Sequence, residues 1–112
     1  MIGVLNVKRC KNLIKEISCQ FNKLVELPDG IDFPNLQVFD CSYNQLTKLP
    51  GNMNFPSLLK FHCSGNKLVE LSDDIDFPGL QVFNCSYNRL SKLPDMNFPN
   101  LRYFNCSDNQ LT

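Results

Sequence analysis

Leu36-Gln37-Val38-Phe39-Asp40-Cys41-Ser42-Tyr43-Asn44-Gln45-Leu46-Thr47-Lys48-Leu49-Pro50 decides how this chain folds. Around Phe39-Asp40-Cys41, apolar and polar residues alternate, as in a short strand with one face buried. At Asn44 the chain must turn, and backbone groups buried there need partners. An Asn amide both donates and accepts, so one Asn per coil can bond the backbone of its own coil and of the next. The return stretch Leu49-Pro50-Gly51-Asn52-Met53-Asn54-Phe55-Pro56 is rich in helix breakers. It is also too short for a helical layer, so extended, polyproline-like or short 3₁₀ backbone is expected there.

The same stretch recurs along the chain. Cys19, Cys41, Cys63, Cys85 and Cys106 are spaced by 22, 22, 22 and 21 residues. Asn22, Asn44, Asn66, Asn88 and Asn109 keep step with them, followed by Leu24, Leu46, Leu68, Leu90 and Leu111. Each coil is opened by Phe-Pro, at Phe33, Phe55, Phe77 and Phe98. A longer period overlies the short one. Residues 22–50 and 66–94 align without gaps and differ at six positions: Pro28/Ser72, Gly30/Asp74, Asn35/Gly79, Asp40/Asn84, Gln45/Arg89 and Thr47/Ser91. A duplicated two-coil unit suits a solenoid, in which each coil needs only a compatible neighbour.

These in-phase copies resemble the leucine-rich repeat pattern L-x-x-L-x-L-x-x-N-x-L, with Phe in the second apolar slot and Cys in the third. The resemblance implies a solenoid with short parallel β-strands on the concave face, return segments on the convex face and little or no α-helix. One domain is expected over residues 1–112. It divides into a partial coil 1–13, coils 14–35, 36–57, 58–79 and 80–100, and a partial last coil 101–112. The 21-residue coil has lost its residue at Asp95-Met96-Asn97, where a loop tolerates the loss. The coil style, Cys in the third slot and Phe-Pro at the turn, is similar to that of small intracellular leucine-rich repeat proteins of large DNA viruses or bacteria. Such a source places the chain in the cytoplasm, a host cell or a virus particle.

Composition narrows the function. Eleven basic and 11 acidic residues balance to zero net charge. Nucleic-acid binding needs a concentrated positive field, and an anionic membrane surface would need a polybasic patch, so neither is expected. The N-terminal apolar run ends at Lys8 and is too short for a secretory signal. No stretch approaches the roughly 20 apolar residues of a membrane span. Free cysteines in a core fit a reducing compartment.

Side chains with chemical potential have plainer explanations. The cysteine column lacks the paired spacing of zinc sites, and in-register parallel strands aim thiols alike rather than at one another. Buried thiols acting as small hydrophobes account for it. His62, with Asp40 and Ser64 nearby, has the residue types of a catalytic relay, but Ser64 belongs to a serine column that the repeat explains alone. Ser72-Asp73-Asp74-Ile75-Asp76 lacks the ligand spacing of a calcium loop. No catalytic residue, metal or cofactor is expected. Glu26, Lys48, Glu70 and Lys92 alternate in sign, and stacked coils could pair them into a charge ladder.

The resemblance implies that partners engage the strand face, through residues flanking the buried slots. The outward columns are Ser18, Asp40, His62, Asn84, Asn105; Gln20, Ser42, Ser64, Ser86, Ser107; Phe21, Tyr43, Gly65, Tyr87, Asp108; and Glu16, Val38, Lys60, Val82, Tyr103. A protein partner is expected to contact Asp40, Tyr43, His62, Asn84, Tyr87, Tyr103 and Asn105, with the tyrosines as anchors and Gly65 leaving a notch. Two alternatives accompany this reading. Ile2 and Leu5 begin inside the repeat, and Leu111-Thr112 stop within it, so the open ends could join copies into a homo-oligomer or larger assembly. Or the chain is the recognition fragment of a larger enzyme such as a ubiquitin ligase.

Overall fold

The computed structural model describes residues 11–93 and 98–111. The slots read at Ile2 and Leu5, the return position of Cys10 and the shortened loop at Asp95–Asn97 lie outside the described residues. Among the described residues, five three-residue strands form one parallel sheet in chain order: β1 (Glu16–Ser18), β2 (Val38–Asp40), β3 (Lys60–His62), β4 (Val82–Asn84) and β5 (Tyr103–Asn105). Ile17, Phe39, Phe61, Phe83 and Phe104 face one another across it in register. The chain is a parallel β-solenoid with almost no helix among the described residues; residues 11–13 are helical.

Backbone pairing runs past each strand into the following turn. Cys41 N donates to His62 O (2.9 Å) and Tyr43 N to Ser64 O (2.8 Å), and the other coils repeat this. Return segments are extended and bend at single turns. Leu36, Leu58, Leu80 and Leu101 each donate N–H to the Phe carbonyl three residues earlier. That closes Phe-Pro-x-Leu as a β-turn whose second residue is a proline with its φ already fixed. The Phe-Pro motif is thus the hinge that starts each strand.

The phenylalanines make two interleaved stacks in place of small spacers. Phe39, Phe61, Phe83 and Phe104 come from the strands; Phe33, Phe55, Phe77 and Phe98 come from the returns. Neighbouring ring centroids lie 5.4–6.4 Å apart, within and between stacks. These separations suit offset and edge-on aromatic contacts. Leu36, Leu58, Leu80, Leu46, Leu68 and Leu90 fill the remaining interior.

The Asn and Cys columns are buried ladders. Asn66 is representative: its Nδ2 donates to Cys41 O (3.1 Å), Cys63 O (3.1 Å) and Ser64 O (3.2 Å), while its Oδ1 accepts from Leu46 N (3.0 Å). Asn44, Asn88 and Asn109 do the same. The neighbour bonded is the preceding coil rather than the next. The amide lies on the turn's N-terminal side, where the carbonyl after the previous strand faces it. At the β1 edge, Asn22 is exposed and, among the described residues, its amide donates to Cys19 O and Gln20 O of its own coil. Cys41, Cys63 and Cys85 are fully buried free thiols; Cys19 and Cys106 are half-buried. Burial pushes the Cys85 thiol up to about 12, with a smaller push from Cys106. Burial, then the Cys19 thiol and the Asp40 carboxylate, push Cys41 higher still.

The expected charge ladder does not form. Glu26, Lys48, Glu70 and Lys92 are all exposed, and the one ion pair among the described residues is Lys11–Asp32 at 3.9 Å. Exposed pairs gain about 0–1 kcal/mol against the entropy of fixing two long side chains, too little to hold them together here.

Candidate functional site

The outward face is shaped by the residue preceding each ladder Asn. Phe21, Tyr43, Gly65, Tyr87 and Asp108 all have positive φ, between 55° and 67°. For a bulky L-residue this left-handed region costs roughly 1–2 kcal/mol. Five successive coils adopt it because only that bend turns the chain from the strand and drops the next residue, the Asn, into the ladder. The bend also swings its own side chain out to solvent. Phe21 is 74% exposed, Tyr43 48% and Tyr87 58%.

The predicted notch at Gly65 is occupied. A Cβ at Gly65 would come within 2.5 Å of Tyr43 Cδ1, so the Tyr43 ring lies against the bare glycine backbone. The ring's other side stacks on Phe21, with centroids 4.9 Å apart and planes within 3°. Phe21, absent from the predicted contact residues, is thus part of the most exposed aromatic pair. Its signal was its place in the tyrosine column.

The serine column lies deeper than strand alternation predicts. Ser42, Ser64 and Ser86 are buried, although strand alternation points them outward. Their hydroxyls are short, and taller columns stand on both sides. Ser64 Oγ donates to Ser42 Oγ (3.2 Å), and Ser86 Oγ donates to Asn84 Oδ1 (2.7 Å). Serines floor the face rather than line it. Ser107, in the last coil, remains exposed.

Between the aromatic column and the Asp40–His62 column lies an open depression of about 230 Å3, lined by Gln20, Phe21, Asp40, Ser42, Tyr43, His62 and Ser64. Three predicted contact residues, Asp40, Tyr43 and His62, therefore meet at one place. Asp40 and His62 are cross-strand partners in register. One Asp40 oxygen accepts Ser42 N–H (2.9 Å). The Gln20 side-chain carbonyl is buried in the wall without a hydrogen-bond partner. Among the described residues, no hydrogen bond joins the His62 ring to Asp40 or Ser64, and Ser64 spends its hydroxyl proton on Ser42. A nucleophile–base–orienter relay is not assembled.

The other predicted contacts continue along the sheet. Asn84 and Asn105 pair in register, as do Val82 and Tyr103. Tyr103 is 53% exposed. Asn84 and Asn105 are half-buried, and each turns its Oδ1 onto the Ser two residues later.

A family model described as leucine-rich repeats in two copies matches residues 34–77 and again residues 78–112. The chain belongs to the leucine-rich repeat family. Both matches span coils whose Asn ladder, Phe-Pro turns and parallel strands are described above. No curated protein and no solved structure matches the chain. Leucine-rich repeats are commonly protein-interaction modules and typically not enzymes. No helix among the described residues is long and apolar enough to cross a membrane.

Proposed function

We propose that this leucine-rich repeat chain is a protein-binding module that works through its strand face. The supporting observation is a row of half- to three-quarters-exposed aromatic rings, Phe21, Tyr43, Tyr87 and Tyr103, on a sheet whose backbone is fixed by the Asn ladder. Large, rigid aromatic side chains with a polar tip provide contact area at little entropic cost and dominate interface energetics. Asp40, His62, Asn84 and Asn105 run beside them and provide polar specificity. Stacked free thiols suit a reducing compartment, so the partner is sought inside a cell.

Affinity capture from a cell extract tests this, comparing the native chain with a Tyr43→Ser, Tyr87→Ser, Tyr103→Ser variant of unchanged circular dichroism. The native chain is expected to hold a specific foreign protein that the variant releases. Full retention by the folded variant removes the strand face from the reading. Recovery of nothing but further copies of the chain redirects the search to self-assembly.

A further inference from the structure

We propose that the depression between Phe21–Tyr43 and Asp40–His62 receives an arginine side chain of the protein partner. The proposal rests on the strand face being the binding surface and names what one part of it recognises.

The depression holds a carboxylate that no cation among the described residues meets, beside further acceptors. The Asp40 carboxylate accepts only, and its one contact is with Ser42 N–H. No cation among the described residues pairs with it. Gln20 Oε1 is buried with nothing to accept from, and rotation about the amide's soft last torsion can present it to the depression. A neutral His62 imidazole offers a further ring nitrogen. A ligand with several N–H donors in a fixed plane satisfies these groups together, as a guanidinium does.

The aromatic wall fits the remainder of that side chain. Phe21 and Tyr43 stack along the solenoid, coil on coil, so their faces look along the axis and their edges look into the depression. Ring edges carry partial positive charge and do not hold a cation by its charge. They do cover an apolar stem, the arrangement in which arginine buries its methylenes while its head reaches polar groups. About 230 Å3 has room for one long side chain.

The duplicated unit contains its own control. Shifted by one unit, Gln20 becomes Ser64, Phe21 becomes Gly65, Asp40 becomes Asn84, and Tyr43 becomes Tyr87. In register, His62 corresponds to Asn105. Asn84 Oδ1 already accepts from Ser86 N (3.1 Å) and Ser86 Oγ (2.7 Å). The counterpart therefore has no charge, no stacked pair and no unmet acceptor. It should not bind the same group.

The test is an amide-resolved NMR titration of the full chain with acetyl-Gly-Arg-Gly-amide into the millimolar range, beside the lysine and leucine analogues. Shifts are expected at Phe21, Tyr43 and His62 and not at Tyr87. The arginine probe should bind at least about threefold tighter than the lysine probe, because only the planar fork meets several acceptors at once. Asp40→Asn repeats the residue that the second unit carries at Asn84, so the variant retains the fold. It should weaken the arginine probe about fivefold or more. No response in the depression, an equal response to lysine, or indifference to Asp40→Asn overturns the proposal. Capture of a foreign protein lost with the tyrosines would then still stand, which separates this failure from failure of the strand-face reading.

Discussion

The two copies of the duplicated unit share an interior and differ at the surface. Asn44 and Asn88 make the same bonds to equivalent groups, at 3.0–3.3 Å in the first copy and 3.0–3.1 Å in the second. Phe39 and Phe83, Cys41 and Cys85, Leu46 and Leu90 are all buried. On the outer face, Asp40 holds a charge where Asn84 folds onto Ser86, and Phe21 stacks on Tyr43 where Gly65 leaves Tyr87 without a ring on that side. A change inside the solenoid must be accommodated by both adjoining coils, whereas the face can vary one coil at a time. The six differing positions, Asp40/Asn84 among them, are accordingly all exposed or half-buried in both copies.

Three measurements test how alike the two copies are. The largest effect is expected from alkaline pH. The buried thiols stay protonated in the folded chain, while the unfolded chain ionises them above their ordinary value of 9.0. Above that pH the folded state holds more protons, so stability falls as pH rises. For Cys85 the loss runs from pH 9.0 to about 12, at about 1.4 kcal/mol per pH unit. Below pH 9 the contribution is fully present. Urea midpoints from pH 8 to pH 11 should fall steeply, and Cys85→Ala should flatten the slope. A stability curve flat across pH 9 would refute this account of the ladder.

A smaller effect tests the shared interior. Asn88→Ala removes the acceptor of the buried Leu68 N–H, at about 1–3 kcal/mol. The carbonyls suffer less, since Cys63 O keeps the Asn66 amide when Asn88 is lost. Asn44→Ala should cost no more, because Leu24 is only half-buried and water can reach its N–H. Chemical denaturation measures both, and a much larger cost in the first copy would contradict equivalent interiors. The smallest effect concerns the face. Tyr43→Ala loses the Phe21 stack and should cost about 0.5–1.5 kcal/mol. Tyr87→Ala loses no ring partner and should stay within about 0.5 kcal/mol. Equal costs would mean that the stack contributes nothing to stability.

What the sequence made legible follows from what repeats in it. A spacing of 22 residues places Cys41 beside Cys63 and Phe39 beside Phe61 whatever the return path does, so sheet, register and ladders could be read directly. The backbone bend before each Asn could not. Tyr43, Phe21 and Tyr87 are poor candidates for positive φ, and in their column only Gly65 and Asp108 hinted at it. Without that bend, neither the Phe21–Tyr43 stack nor the filling of the Gly65 notch could be foreseen. Burial of Ser42 and Ser64 was hidden for a related reason: alternation gives the direction of a side chain but not the height of its neighbours. The meeting of Asp40, Tyr43 and His62 was legible from their columns, while the unmet carbonyl of Gln20 depends on side-chain placement that no column encodes.

The backward reach of the Asn ladder has a consequence for how the molecule is made. Every partner of Asn44 (Cys19 O, Leu24 N, Cys41 O and Ser42 O) precedes it in the chain, and Asn66 and Asn88 obey the same order. A ribosome delivers residues in that order. As each asparagine emerges, the groups it fastens have already been synthesised, and the new coil can be stitched to its predecessor without waiting for the rest of the protein. Synthesis and closure of the ladder can proceed at the same pace, one turn at a time.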